Sequence, residues 1–506
     1  MRLNVIQNAK RNVLWGMFER LIITFLPFVV RTVFLNVLGA EILGLNGLFT
    51  SILNILNIAE LGFSNAIIYN MYKPIAENNI DKVCALIKFY KKIYRIIGMI
   101  VFAVGLMVLP FLPRLINGTI PESYNLYVLY LINLFNTAIG YFLFAYKTCL
   151  LNVHQRNDII SRISVIMNVL TSLLQISILL TIKNYYVYIL IIPFITILTN
   201  IINAVMAKKM YPQYTCRGDL SLDTKKAIRK NVLGLMIGKI CMVSRNSFDN
   251  IFLSLFLGLT MVAMYNNYYY ILTSIIGILG LATTAISAGV GNKVALNTIE
   301  QNHKDFQLIT YVYMWIAGWC TICLLCLYQP FMKLWVGEDL MFPLIVVIQL
   351  CIYFYSLSMG NMRSIYSNAS GLFWQGRYYV IVEAVLNIIL NYIFGKLWGV
   401  NGIIAATNVT IIFINFVWGS LILYKYYFIG MNVKKYFFSQ ALYAVVTCVV
   451  AVITYGVVSL IHIENWWGLI VKGGVCLILP NILYLVIYKK YKYFSGAKAL
   501  LKQIVS

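Results

Sequence analysis

Four residues near the start of the chain have the types and the spacing to hold an anion inside a membrane. Arg20, Thr24, Pro27 and Arg31 follow one another at intervals of four, three and four, which places them on one face of a helix. Arg20 and Arg31 then stand roughly 16 Å apart along the axis, from the helical rise per residue. They lie within RNVLWGMFERLIITFLPFVVRTVFLNV (Arg11 to Val37). This run is longer than the ~20 apolar residues that cross a bilayer. A charge at that depth costs at least ~2.5–3.5 kcal/mol on insertion scales, so it is kept where it faces a polar interior. Pro27, between the two arginines, is expected to kink the helix. Alternatively, the arginines snorkel to opposite interfaces.

A second set lies further on. Lys239, Arg245 and Asp249 fall in one apolar stretch, with Arg245 and Asp249 four apart and able to pair on one helix face. Asn246 and Asn250 extend that polar surface. The two sets are related by a repeat at an offset of 219 residues (Lys10 against Arg229). KRNVL (Lys10 to Leu14) matches RKNVL (Arg229 to Leu233), Arg20 falls on Lys239, Leu38-Gly39 on Leu257-Gly258, and Ile80 on Ile299. Two copies therefore each offer a cation at equivalent depth. Arg20, Arg31, Lys239 and Arg245 together suit a pyrophosphate, because charge-assisted bonds to phosphate oxygens are the strong ones. Glu19, Glu60 and Asp249 are intramembrane acids that balance this charge or couple an ion. Glu383, near Arg363 and Arg377, reads as half of an interfacial ion pair. Asn54, Asn57, Asn133, Asn266, Asn267 and Tyr268 are polar groups at membrane depth. They either line a cavity that replaces the water of a polar guest or bond between helices.

The elements that position these residues follow from composition. Of 506 residues, 61% are hydrophobic and only 11% are charged, which describes an all-α polytopic membrane protein. We read fourteen spans, at 12–37, 44–72, 93–113, 125–147, 160–182, 186–206, 232–257, 262–290, 307–329, 342–362, 378–394, 400–424, 437–460 and 467–488. The net charge of +24 does not mark a nucleic-acid partner. Most Lys and Arg fall in alternate loops, so they set topology, with both termini cytoplasmic, and attract anionic membrane lipids. The ten cysteines lie mostly in apolar segments and form no disulfide framework. Six spans per repeat is an even number, so the copies are parallel, a transporter plan with a site between lobes. The expected organisation is an N-lobe at 1–206, a cytoplasmic linker with an amphipathic surface helix at 207–231, a C-lobe at 232–424, and two further spans with a basic tail at 425–506. Motifs for soluble chemistry are missing. GVGNK (Gly289 to Lys293) lacks the spacing of a phosphate loop, and His154, His303 and His462 are scattered, so no cofactor or metal is expected. Glu338-Asp339 is the only carboxylate pair outside the spans.

The plan resembles the multidrug/oligosaccharidyl-lipid/polysaccharide exporter superfamily, and within it the Wzx-type oligosaccharide flippases. The resemblance is carried by NAKRNVLWG (Asn8 to Gly16), RTVFLNVLGAEILGLNGLFTSILNILNIAELGFSNAI (Arg31 to Ile67) and YKPIAENNIDKV (Tyr72 to Val83). It implies a bacterial cytoplasmic-membrane protein that moves a polyprenyl-pyrophosphate-linked oligosaccharide outward by alternating access. Polymerase and glycosyltransferase partners are implied with it. Two rivals follow from the same residues: a drug or cation antiporter of the superfamily, and a membrane glycan polymerase or glycosyltransferase. Short external loops count against the second.

Overall fold

The computed structural model describes residues 5–505 apart from 61, 62, 119, 120, 122 and 373. The side chains at 5–10, 13, 58, 59, 65, 227, 229–231, 233–242, 285, 288 and 500–505 fall outside that description. Among the described residues the chain is helical, with no strand. Its helices are α1 (Val5–Leu38), α2 (Ala40–Leu56), α3 (Phe63–Ala76), α4 (Ile80–Val108), α5 (Leu126–Phe142), α6 (Thr148–Val153), α7 (Asn157–Thr181), α8 (Tyr185–Met210) and α9 (Leu222–Leu257). They continue as α10 (Leu259–Leu296), α11 (Ile299–Val336), α12 (Leu344–Ala369), α13 (Arg377–Val409), α14 (Gly419–Tyr426), α15 (Val433–Ser459), α16 (Trp466–Tyr488) and α17 (Phe494–Val505).

Among the described residues, ten helical segments are long and apolar enough to cross a membrane, or eleven if the bent pair Leu126–Phe142 and Ala145–Val153 is one span. That is fewer than fourteen, and α9, which holds the seventh expected span, is not among them. The second expected span is broken: α2 stops at Leu56, a 3-10 turn covers Asn57–Glu60, and α3 resumes at Phe63. Spans eleven and twelve form one segment, Arg377–Tyr426. It is interrupted by Gly399 (φ 58, ψ −132) and by a π-helical stretch at Thr410–Trp418. The expected surface helix at 221–231 is not separate. Ser221 caps it, its Oγ accepting from Thr224 N–H, but α9 then runs on to Leu257.

The repeat is visible in the backbone. Gly39 ends α1 with φ 84 and ψ 173, and Gly258 ends α9 with φ 88 and ψ 176. Only glycine adopts this conformation readily. The helices α4 and α11 begin at Ile80 and Ile299, at the same offset.

The chain divides into two compact units, Met1–Ala263 and Met264–Ser506. The sequence reading puts α9 at the head of the second lobe. In the structure α9 groups with the first unit, because α2 and α3 pack along it. Packing in lipid depends on close approach rather than on water exclusion. Thus Gly44 on α2 lies against the Leu259 carbonyl, where a Cβ would clash with backbone. Gly44→Val is expected to destabilise the protein by about 1–3 kcal/mol through overpacking. Gly140→Ala, with open space around it, should be neutral; thermal unfolding in detergent compares the two. The second unit is held by a ring cluster that includes Phe306, Tyr311, Tyr366, Tyr436, Tyr443 and Tyr488.

Candidate functional site

The start of α1 is anchored by a polar staple on α7, the helix α1 packs along most extensively. Asn12 Nδ2 donates to the Gln155 carbonyl at 3.0 Å, and Asn12 Oδ1 accepts from Asp158 N–H at 2.8 Å. Asp158 is buried and accepts from Arg156 Nε at 2.9 Å, and Arg162 lies over the Trp15 ring at 4.7 Å. This sets the depth and rotation of α1, and so of its arginines.

Arg20 is half-buried, and its Nε is enclosed with no hydrogen-bond partner among the described residues. Such a guanidinium still has a donor to give an anion. Arg31 is half-buried too, and its charge acts on Tyr188 of α8. Glu19 shares the half-buried environment of Arg20. On α9, Arg245 and Asp249 are both buried, and Asn250 Nδ2 donates to Ser51 Oγ of α2 at 2.9 Å. Lys239 falls on α9, and its side chain lies outside the described residues. The helices α1 and α9 thus bring Arg20, Arg31, Arg245 and the backbone of Lys239 into the same unit.

The break after α2 delivers Glu60 to a set of tyrosines. Tyr90 donates to Tyr94 at 2.7 Å, and Tyr94 donates to Glu60 Oε1 at 2.6 Å. The Tyr141 hydroxyl lies 2.9 Å from Asn57 Oδ1 and 3.4 Å from Glu60 Oε2. Tyrosine hydroxyls thus meet both carboxyl oxygens of Glu60, a built polar position at a helix break. The three tyrosines carried no signal of their own in the sequence, one of whose commonest residues is Tyr.

The other polar residues divide by their partners. Asn54 is exposed. Asn133 donates to Leu129 in its own helix at 2.9 Å, and Asn266 is half-buried. Asn267 and Tyr268 are fully enclosed. The Tyr268 hydroxyl donates to Gln329 at 2.9 Å and accepts from Phe342 N–H at 3.1 Å, which holds it within the packing of the second unit.

The second unit contains a charged centre that the sequence reading placed at an interface. Span ten is read as ending at 362, whereas α12 continues to Ala369 and encloses Arg363, which is 1% exposed. Arg363 donates to Asn415 Oδ1 at 2.8 Å, Tyr379 Oη at 3.1 Å and Ser364 Oγ at 3.3 Å. Asn415 passes the contact on, donating through Nδ2 to Glu383 at 2.8 Å. Glu383 is also 1% exposed. Arg377 instead stacks on Trp374 and Tyr378. Gly360 and Gly419 make the room, since a Cβ on Gly419 would strike the guanidinium. Asn415 sits in the π-helical stretch, a deviation that is frequent at functional sites.

Residues 9–287 match the family described as polysaccharide biosynthesis protein. No curated protein matches in sequence. The structure is similar to that of the lipid II flippase MurJ in an inward closed conformation, with a TM-score of 0.64 at 16% identity, over 95% of this chain and 99% of that one. It is similar to an inward-facing multidrug resistance MATE family transporter of the MOP superfamily, at TM-score 0.61 and 16% identity, over 80% and 97%. A MOP superfamily transporter from Pyrococcus furiosus, described as having a binding pocket of reversed polarity, matches at TM-score 0.55 and 16% identity, over 82% and 96%. At these identities the likeness is one of fold.

Proposed function

The chain belongs to the polysaccharide biosynthesis protein family, and from that premise we propose that it is a flippase for a polyprenyl-pyrophosphate-linked oligosaccharide. It is a membrane transporter rather than an enzyme, as the fold of its structural relatives supports. The observation that carries the substrate class is the basic face of α1, where Arg20 keeps an enclosed Nε without a partner among the described residues. Arg20, Arg31, Arg245 and Lys239 hold the pyrophosphate, while Asn54, Asn57 and Asn133 meet the sugar. The polyprenyl tail stays in lipid, because the head group alone needs a polar path. Glu19, Glu60 and Asp249 balance the cations and carry the coupling of alternating access. In this reading the spans form two parallel lobes plus a terminal pair, in the bacterial inner membrane with both termini cytoplasmic. Polymerase and glycosyltransferases of the same route are the expected partners.

A drug or cation antiporter is the second reading, favoured by the tyrosine-held Glu60 carboxylate, which suits a cation. Depleting the protein separates the two. A flippase leaves lipid-linked repeat units on the cytoplasmic face, shielded from a glycosidase added to right-side-out vesicles. Outward-facing units would point to a polymerase. Unchanged glycan with drug hypersensitivity would replace the flippase by the antiporter.

A further inference from the structure

In the second unit, α11, α15 and α16 enclose a cavity of about 240 Å³ beside the loop that carries Glu338. Its inner wall is apolar, with Leu325, Leu334, Val458 and Leu469, and its mouth carries Lys333, Glu464 and Lys472. The two lysines differ. Lys333 Nζ bonds Glu464 at 2.7 Å and Glu338 at 2.8 Å, so its charge is matched within the protein. Lys472 stands in the second turn of α16, half-buried, with no carboxylate within ion-pair distance among the described residues. Its charge is felt only from further off. The Lys333 ammonium, and more weakly Lys472, hold the Glu464 carboxyl below the usual carboxylate range.

The depth of this cavity can be read from its aromatic neighbours. Trp466 and Trp467 open α16 and are 54% and 74% exposed, and Trp335 ends α11. Indoles at span ends mark the head-group level of a bilayer. The mouth therefore lies among head groups and the apolar wall lies at acyl depth. The volume is below the ~300–1,000 Å³ that encloses a whole small molecule, so it suits a head group whose tails remain outside. Ile463 and Ile470, exposed at 48% and 63%, continue the apolar surface beside the mouth.

We propose that this cavity is a glycerophospholipid site, with the lipid phosphate on Lys472 and the acyl chains along Ile463 and Ile470. The bound lipid fills the seam between α11 and the pair α15 and α16, the two spans outside the repeat. The site is independent of the transported substrate and stands under either transporter reading.

Native mass spectrometry of the delipidated full-length protein, titrated with phosphatidylglycerol or phosphatidylethanolamine, tests it. The wild type should retain one lipid. Lys472→Gln should weaken retention about tenfold, the loss of one charge-assisted contact. Lys472→Arg should preserve it, and Lys489→Gln at the far end of the helix should change nothing. If the glutamine variant does not accumulate, Lys472→Met, which keeps the apolar stem, takes its place. Equal retention by wild type and Lys472→Gln overturns the site. Displacement of the lipid by millimolar inorganic phosphate also overturns it, in favour of a free-anion site.

Discussion

Arg363→Ala is expected to destabilise the second unit by about 3–5 kcal/mol, the cost of removing one of two buried charged groups that a single amide bridges. Arg363 and Glu383 are each 1% exposed, and Asn415 bonds both of them. Truncating the arginine removes the cation that this amide relays to the carboxylate. It also empties the space that Gly360 and Gly419 leave for the guanidinium. The measurement is thermal unfolding of the purified protein in detergent, with the yield of monodisperse protein as a second readout. Arg363→Met combined with Glu383→Leu should recover much of the loss, because the penalty belongs to the unbalanced charge and not to the absence of the pair. If Arg363→Ala alone melts like the wild type, the centre does not balance charge.

Arg20→Ala is expected to remove most transport while leaving the protein in the membrane. Arg20 is half-buried and its Nε has no partner among the described residues, so little of the fold depends on it. A charge-assisted hydrogen bond contributes about 1.5–3 kcal/mol, or roughly 10–100-fold in affinity. Arg20→Lys should fall between, because an ammonium is a point charge without the planar fork. Surface glycan is read by immunoblot against the amount of protein in the membrane fraction. The double variant Arg20→Ala with Lys239→Ala should abolish glycan. Normal glycan from it refutes the pyrophosphate role.

Much of the plan is legible in the sequence. Apolar runs located the helices, because the length that crosses a bilayer is set by the bilayer. The repeat was legible too, since Gly39 and Gly258 occupy backbone positions open almost only to glycine. Boundaries were less secure. The Asn57–Glu60 break interrupts a run that is apolar on both sides, and α12 outlasts its apolar stretch by enough to bury Arg363.

What the sequence determined by itself was the class: a helical, repeated membrane protein with cations along α1. What only the tertiary structure decided was who meets whom. Tyr94 and Tyr141 reach Glu60 from positions 34 and 81 residues away, and Asn415 joins Arg363 to Glu383 from 52 and 32 residues away. In lipid a polar side chain without a neighbour is costly, so partners are found across helices. Composition announces that need, but the partner is set by which helices lie side by side, a choice made over the whole unit at once.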